Sequence, residues 1–183
     1  MSKKKTSFLG VRWITIAVVI VAIAAIYAGV AWRQSVSETA LLREAGQLYA
    51  AGELSKAADF YKAKLDGPLA GSAAAWNNYG NVLRDTEQYN EAETAYLKSI
   101  ELDPTYEPVY RNLLFFYIDR PDVPADIRES ELTGLRDQLL RAHQLAPKSI
   151  SIVEDLMSTY RELGDNENAR TYQDIRDKLL QSE

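Results

Sequence analysis

The sequence has no cysteine and a single histidine, His143. Disulfides, thiol nucleophiles, thiolate metal sites and multi-histidine metal sites are therefore excluded. Neither G-x-G-x-x-G nor G-x4-G-K-[ST] occurs, so no glycine-rich loop is present to cradle a phosphate. Carboxylates are plentiful but scattered over helix faces, as on solvated surfaces. These absences point away from catalysis, and no enzyme activity, cofactor or metal is expected. Glycine (9) and proline (6) are sparse, which excludes collagen-like and low-complexity chains. The first 33 residues contain no acid and carry Lys3, Lys4, Lys5, Arg12 and Arg33. The formal charge of −5 over the chain therefore resolves into +5 there and −10 beyond. An acidic main body is a poor partner for nucleic acid, whose phosphates need a basic surface.

Between Arg12 and Arg33 lie 20 uncharged residues, Trp13 to Trp32. As a helix the run is about 30 Å long, the thickness of a bilayer's hydrocarbon core. Trp13 and Trp32 stand at its ends, where amphipathic rings favour the membrane interface. Basic residues precede the run, whereas Arg33 and Arg43 beyond it are offset by Glu38 and Glu44. The expected layout is a cytoplasmic basic stub (1–12), a transmembrane helix (13–32), a short linker (33–37) and an extracytoplasmic domain (38–183). A bacterial inner membrane with the domain in the periplasm fits it best. The rival is a signal peptide cleaved near Gly29-Val30-Ala31, which would release a secreted soluble domain. Small residues at Ala24/Ala28 and Ala25/Gly29 have the spacing of a close helix–helix contact, one route to a homo-oligomer.

Beyond residue 37 helical periodicity is everywhere and strand alternation nowhere. Turn signals fall at Gly52, Asp66-Gly67-Pro68, Asp103-Pro104, Pro121 with Pro124, Pro147 and Gly164-Asp165-Asn166. Asp126 with Glu129, and Ser151 with Glu154, have capping-box spacing. The sequence also repeats itself. Residues 73–106 place Trp76, Tyr79, Gly80, Leu83, Ala92, Tyr96, Ser99 and Pro104 over 34 residues. That pattern resembles a tetratricopeptide repeat (TPR), W-x2-L-G-x2-Y, then A-x3-F, then a late proline. Tyr79 and Leu83 exchange one apolar type for another. Degenerate copies flank it at about 38–71, 107–147 and 150–180, the third with an insertion at 120–126. The expected fold is all-α: a transmembrane helix, then a right-handed superhelical TPR solenoid of three to four helix-turn-helix repeats. Its last helix would be a solvating end cap.

The resemblance implies a protein-interaction module that takes an extended peptide or a partner helix in the concave groove lined by the first helix of each repeat. The candidate groove residues are Asn77, Asn81 and Arg84 in the second repeat, Arg111 and Phe115 with Ile118 in the third, and Ser158 with Glu154 and Arg161 in the fourth. Leu42, Gly46 and Tyr49 are their counterparts in the first. Asn can hold a peptide backbone, Arg111 a carboxylate, and Phe115 an apolar side chain. The set does not complete the five-residue carboxylate clamp of TPR co-chaperones, because Leu42, Gly46 and Phe115 replace polar members. A partner protein held at the membrane is the expected function. A self-assembling scaffold is the alternative.

Overall fold

A computed structural model describes residues 5–121 and 123–182, with side chains from 16–30, 37–121 and 123–182. Every regular element among them is a helix. The chain forms two compact units, residues 1–44 and 45–183.

The first unit belongs to helix α1 (Lys5–Ala50), whose end enters the second unit. The helix runs without a break through 33–37, so the expected linker is not a loop. No glycine or proline lies there to interrupt it. All of residues 16–30 are exposed, and the large apolar side chains among them, Ile16 to Val30, are 47–73 % exposed. Among the described residues no helix is long and apolar enough to cross a membrane. Of the expected span 13–32, the side chains of Trp13 to Thr15 and of 31–32, with both end tryptophans, lie outside the described residues, as do residues 1–4 and every side chain of the basic stub.

The second unit stacks α2 (Leu54–Leu65), α3 (Ala73–Asp85), α4 (Tyr89–Leu102), α5 (Pro108–Asp119), α6 (Ala125–Leu145), α7 (Ile150–Glu162) and α8 (Asn166–Gln181). From α2 onward each helix packs on the next, and α5 also touches α3 and α7. No such hairpin can bury its apolar face alone, so the core runs continuously from Leu83 on α3 to Ala169 on α8.

Local chemistry sets the helix ends. The Ser72 hydroxyl caps α3 at Ala75 N (3.1 Å), and Ser149 caps α7 at Ile152 N (3.1 Å). Asp165 caps α8 at Asn168 N (3.1 Å). Pro108 opens α5, where its missing N–H costs nothing. The two expected capping boxes do not form. Ser149 takes the free amides of α7 and leaves Ser151 inside the first turn. The residue before α6 is Pro124, with no side-chain cap, and Asp126 lies within that helix. Glu154 is thereby left free to face outward.

The close crossing at the heart of 73–106 has the expected form. A Cβ placed on Gly80 would lie 2.7 Å from the Tyr96 ring. Tyr96 is fully buried, and its hydroxyl donates to Asn81 Oδ1 (2.8 Å). Ser99, also buried, donates to the Ala73 carbonyl (2.8 Å) and ties α4 to the start of α3. The turns between paired helices share one device. Gly52, Glu87 and Gly164 sit at corresponding places, with φ of +74°, +62° and +76°.

The third repeat departs from this pattern. Its extra residues do not all form a loop, because α6 is 21 residues long against 12 for α2 and 14 for α4. Arg120, with a side chain only 10 % exposed, pins the junction. It pairs with Glu131 and approaches Glu93 (3.6 Å), with its guanidinium 5.0 Å from the Phe116 ring centre. Arg128 donates to the Arg120 carbonyl (3.1 Å), and Tyr117 donates to Glu93 (2.9 Å). Burial, with Glu93 beside it, pushes the Tyr117 phenol well above its usual range.

Candidate functional site

Because α5 packs side by side with both α3 and α7, these three first helices share a surface. Two clefts open on it, and Phe115, 51 % exposed, lines both.

The first, of about 370 Å³, lies between Arg84 and Tyr89 on one side and Phe115, Asp119, Arg120 and Pro121 on the other. Arg84 is half-buried and donates through Nε to Asp85 (2.8 Å), whose other oxygen accepts from the Tyr49 hydroxyl. The second, of about 490 Å³, lies between α5 and α7. Arg111, Leu114, Phe115 and Ile118 form one wall; Glu154, Asp155, Met157, Ser158 and Glu162 form the other. A smaller hollow of about 260 Å³ also involves Arg111 and adds Glu107, Pro108, Asn112 and Ser151.

The candidate residues divide sharply. Arg111, Phe115 and Ser158 come together in the larger cleft, and Arg84 meets Phe115 in the other. The Ser158 hydroxyl is turned back to the Glu154 carbonyl (2.9 Å). Asn81 is half-buried and holds the Tyr96 hydroxyl, so its oxygen is occupied. Asn77 does not line the groove. It is 2 % exposed, accepts from Asn112 Nδ2 (2.8 Å) and donates to Asn78 Oδ1 (3.2 Å). Its amide joins α3 to α5, because a buried polar group must find partners in the protein.

The residue that sequence reasoning missed is Asp155. It is 2 % exposed, and Arg111 Nε reaches its Oδ1 at 3.1 Å while Arg111 Nη2 lies 3.5 Å from Glu154. Asp155 Oδ2 has no hydrogen-bond partner within the described residues. Burial pushes its carboxyl up to about 6; Arg111 opposes the rise, and Glu154 and Glu107 add to it. The signal was present in the sequence. Ile152 and Thr159 stand three before and four after it on one helix face, and both are buried. A carboxylate on such a stripe is unusual. Among the described residues no group of three or more His, Asp or Glu could hold a metal ion.

Comparison with known proteins adds to this geometry. The family model of the tetratricopeptide repeat matches residues 73–106. Residues 73–106 match one TPR unit. That unit is the α3–α4 hairpin, with Gly80 against Tyr96 at its crossing. A thermophilic TPR protein of Thermus thermophilus superposes with a TM-score of 0.58 at 19% identity, covering 78% of this chain and 74% of that one. MamA from Desulfovibrio magneticus RS-1, residues 41 to the end, gives 0.56 at 18% identity, covering 78% and 75%. BtubC from P. vanneervenii gives 0.54 at 19% identity, covering 75% and 61%. At such identities the likeness is one of fold, an all-α TPR-like solenoid. No curated protein matches the sequence.

Proposed function

We propose that this chain is a membrane-anchored protein-interaction module, which holds a peptide segment of a partner protein against the α3–α5–α7 surface. The observation that carries the reading is Phe115. A phenyl ring half in solvent, on the first helices of a TPR-like stack and shared by two clefts, is an exposed apolar anchor. Arg111 and Ser158 stand beside it, able to meet a peptide backbone. Asn77 drops out of the contact set, and Asn81 contributes at most its NH2 group.

The anchoring half of the proposal rests on residues 16–30. An α-helix with apolar side chains exposed on every face has no stable place in water unless something covers it. Lipid is the cover that the uncharged run and its basic flank favour. The domain would then lie on the side away from the basic stub.

Site-specific photo-crosslinking from position 115 in living cells tests the binding. A defined partner protein among the adducts supports it. If only copies of this chain are captured, a self-assembling scaffold replaces it. If only lipid is captured, the groove is not a docking surface. Protease shaving of spheroplasts tests which side the domain occupies.

A further inference from the structure

The α5–α7 cleft is asymmetric in charge. Glu154, Asp155 and Glu162 line it, Glu107 lines the adjoining hollow, and Arg111 is the one base in either. Four carboxylates thus face one guanidinium. Arg111 does not neutralise them. It divides itself between Asp155 at 3.1 Å and Glu154 at 3.5 Å, and is bidentate to neither. Glu107 accepts from the Ser149 hydroxyl, and Glu162 is exposed. Asp155 is nearly completely buried, yet its Oδ2 meets no donor. A half-satisfied buried carboxylate is costly to a fold, and a cation held at the mouth of the cleft beside Glu154 and Glu162 would offset its charge. Beside Arg111 on the opposite wall, Phe115 and Ile118 are open to the cleft over the buried Leu114, and the buried Met157 adds apolar surface on the α7 side.

We propose that the α5–α7 cleft selects a cationic partner segment, in which a Lys or Arg side chain enters between Glu154, Asp155 and Glu162 while a neighbouring apolar side chain rests on Phe115. The inference deepens the docking reading above and rests on it. It also reverses the sign expected of Arg111 alone. That residue serves the Asp155 carboxylate, so an acidic peptide end finds repulsion there.

Three nine-residue fluorescein-labelled probes in a Gly/Ser frame test it. Each carries Leu and Phe around two central positions occupied by Lys-Arg, Gln-Gln or Glu-Glu. Their anisotropy is titrated with the full chain in non-ionic detergent. The Lys-Arg probe should bind at least tenfold tighter than the Gln-Gln probe, and the Glu-Glu probe should be weakest. Glu154→Gln with Glu162→Gln, the first half-buried and the second exposed, should cost the Lys-Arg probe at least fivefold. Asp155→Asn should do the same with helicity intact. Removing two charges elsewhere, Glu129→Gln with Glu167→Gln, should cost less than twofold. Equal loss in that control would mean diffuse attraction to an acidic chain, and would overturn the proposal. A neutral or acidic probe that binds as tightly as the basic one and is lost in Phe115→Ala would overturn the charge selection while leaving the groove as the docking site. If no probe binds, cationic selection fails, and an absence of protein adducts from position 115 would then remove the docking reading as well.

Discussion

Asp155 contributes an unfavourable term to folding near neutrality, and its pH dependence has a definite sign. Its carboxyl titrates at 3.8 in the unfolded chain and at about 6 in the folded one, chiefly through burial. The folded state therefore holds this proton more tightly. The cost of ionising it is fully present above about pH 6, and is relieved as pH falls from there toward the unfolded value. Asp155→Asn removes the charge at nearly constant shape. The variant should be more stable than the parent at pH 8 by ~1–2 kcal/mol, less than the full shift implies because a carboxamide does not reproduce the bonding of the neutral carboxyl. The difference should shrink steadily between about pH 6 and pH 4. Urea denaturation across that range checks it, and an unchanging difference would show that Asp155 is not the titrating group. Gly80 makes the complementary point in the TPR core. A methyl group there meets the Tyr96 ring at 2.7 Å, and the ring is held by its bond to Asn81 and by Phe116, 5.8 Å away between centres. Gly80→Ala should cost about 1–3 kcal/mol, despite the better helix propensity of alanine. The thermal midpoint reads this directly, and a neutral result would show that Tyr96 can move aside.

Three helix pairs, α1–α2, α3–α4 and α7–α8, are joined by turns with one left-handed residue. Gly52 and Gly164 supply it freely, but the best-formed repeat uses Glu87, at φ +62°. Its side chain is exposed, so nothing there but the backbone sets the cost. Glu87→Gly should stabilise the domain by about 0.5–1 kcal/mol, the αL strain relieved less the extra freedom of the unfolded chain. Equilibrium denaturation measures it, and destabilisation would mean that Glu87 makes an interaction worth more than the strain. This turn also shows where legibility ended. The helix pairs, the tight Gly80 crossing and the third-repeat departure could all be read from residue size and spacing, because those follow from how closely two helices must approach. The start of α6 could not be read, because Asp126 carries capping chemistry while the helix begins one residue earlier, after Pro124, with no side-chain cap. Nor could the fate of Asn77. A position that faces the groove by periodicity was claimed by Asn112 on the neighbouring helix, a partner 35 residues away that spacing within one repeat cannot show. The burial of Asp155 was legible in the stripe of its own helix, but its pairing was not, since Arg111 lies 44 residues off. Arg111 and Phe115, by contrast, line the clefts on the face where the periodicity of α5 puts them.

The whole molecule combines an acidic helical stack with an apolar helix, and the two make different demands on solvent. Residues 45–183 bury a continuous core and cap their helices, so nothing in them calls for lipid. Residues 16–30 show only uncharged side chains and bury none of them. If that segment is the anchor, its hold on the bilayer comes from transfer of those side chains alone. Two cations near its middle should then defeat it. Val21→Lys with Ala25→Lys places charges one turn apart, and each is worth about 2.5–3.5 kcal/mol against insertion. The parent chain should stay with membranes through alkaline carbonate extraction, and the double variant should move to the soluble fraction. Its circular dichroism per residue should change little, because α2–α8 do not depend on the substituted positions. The variant should also keep whatever affinity the α5–α7 cleft has for the Lys-Arg probe, since anchoring and capture lie in separate units. If both chains extract alike, residues 16–30 do not anchor the protein, and their exposed apolar faces need a protein cover instead. Light scattering of the variant would then tell a second copy of this chain from a different partner.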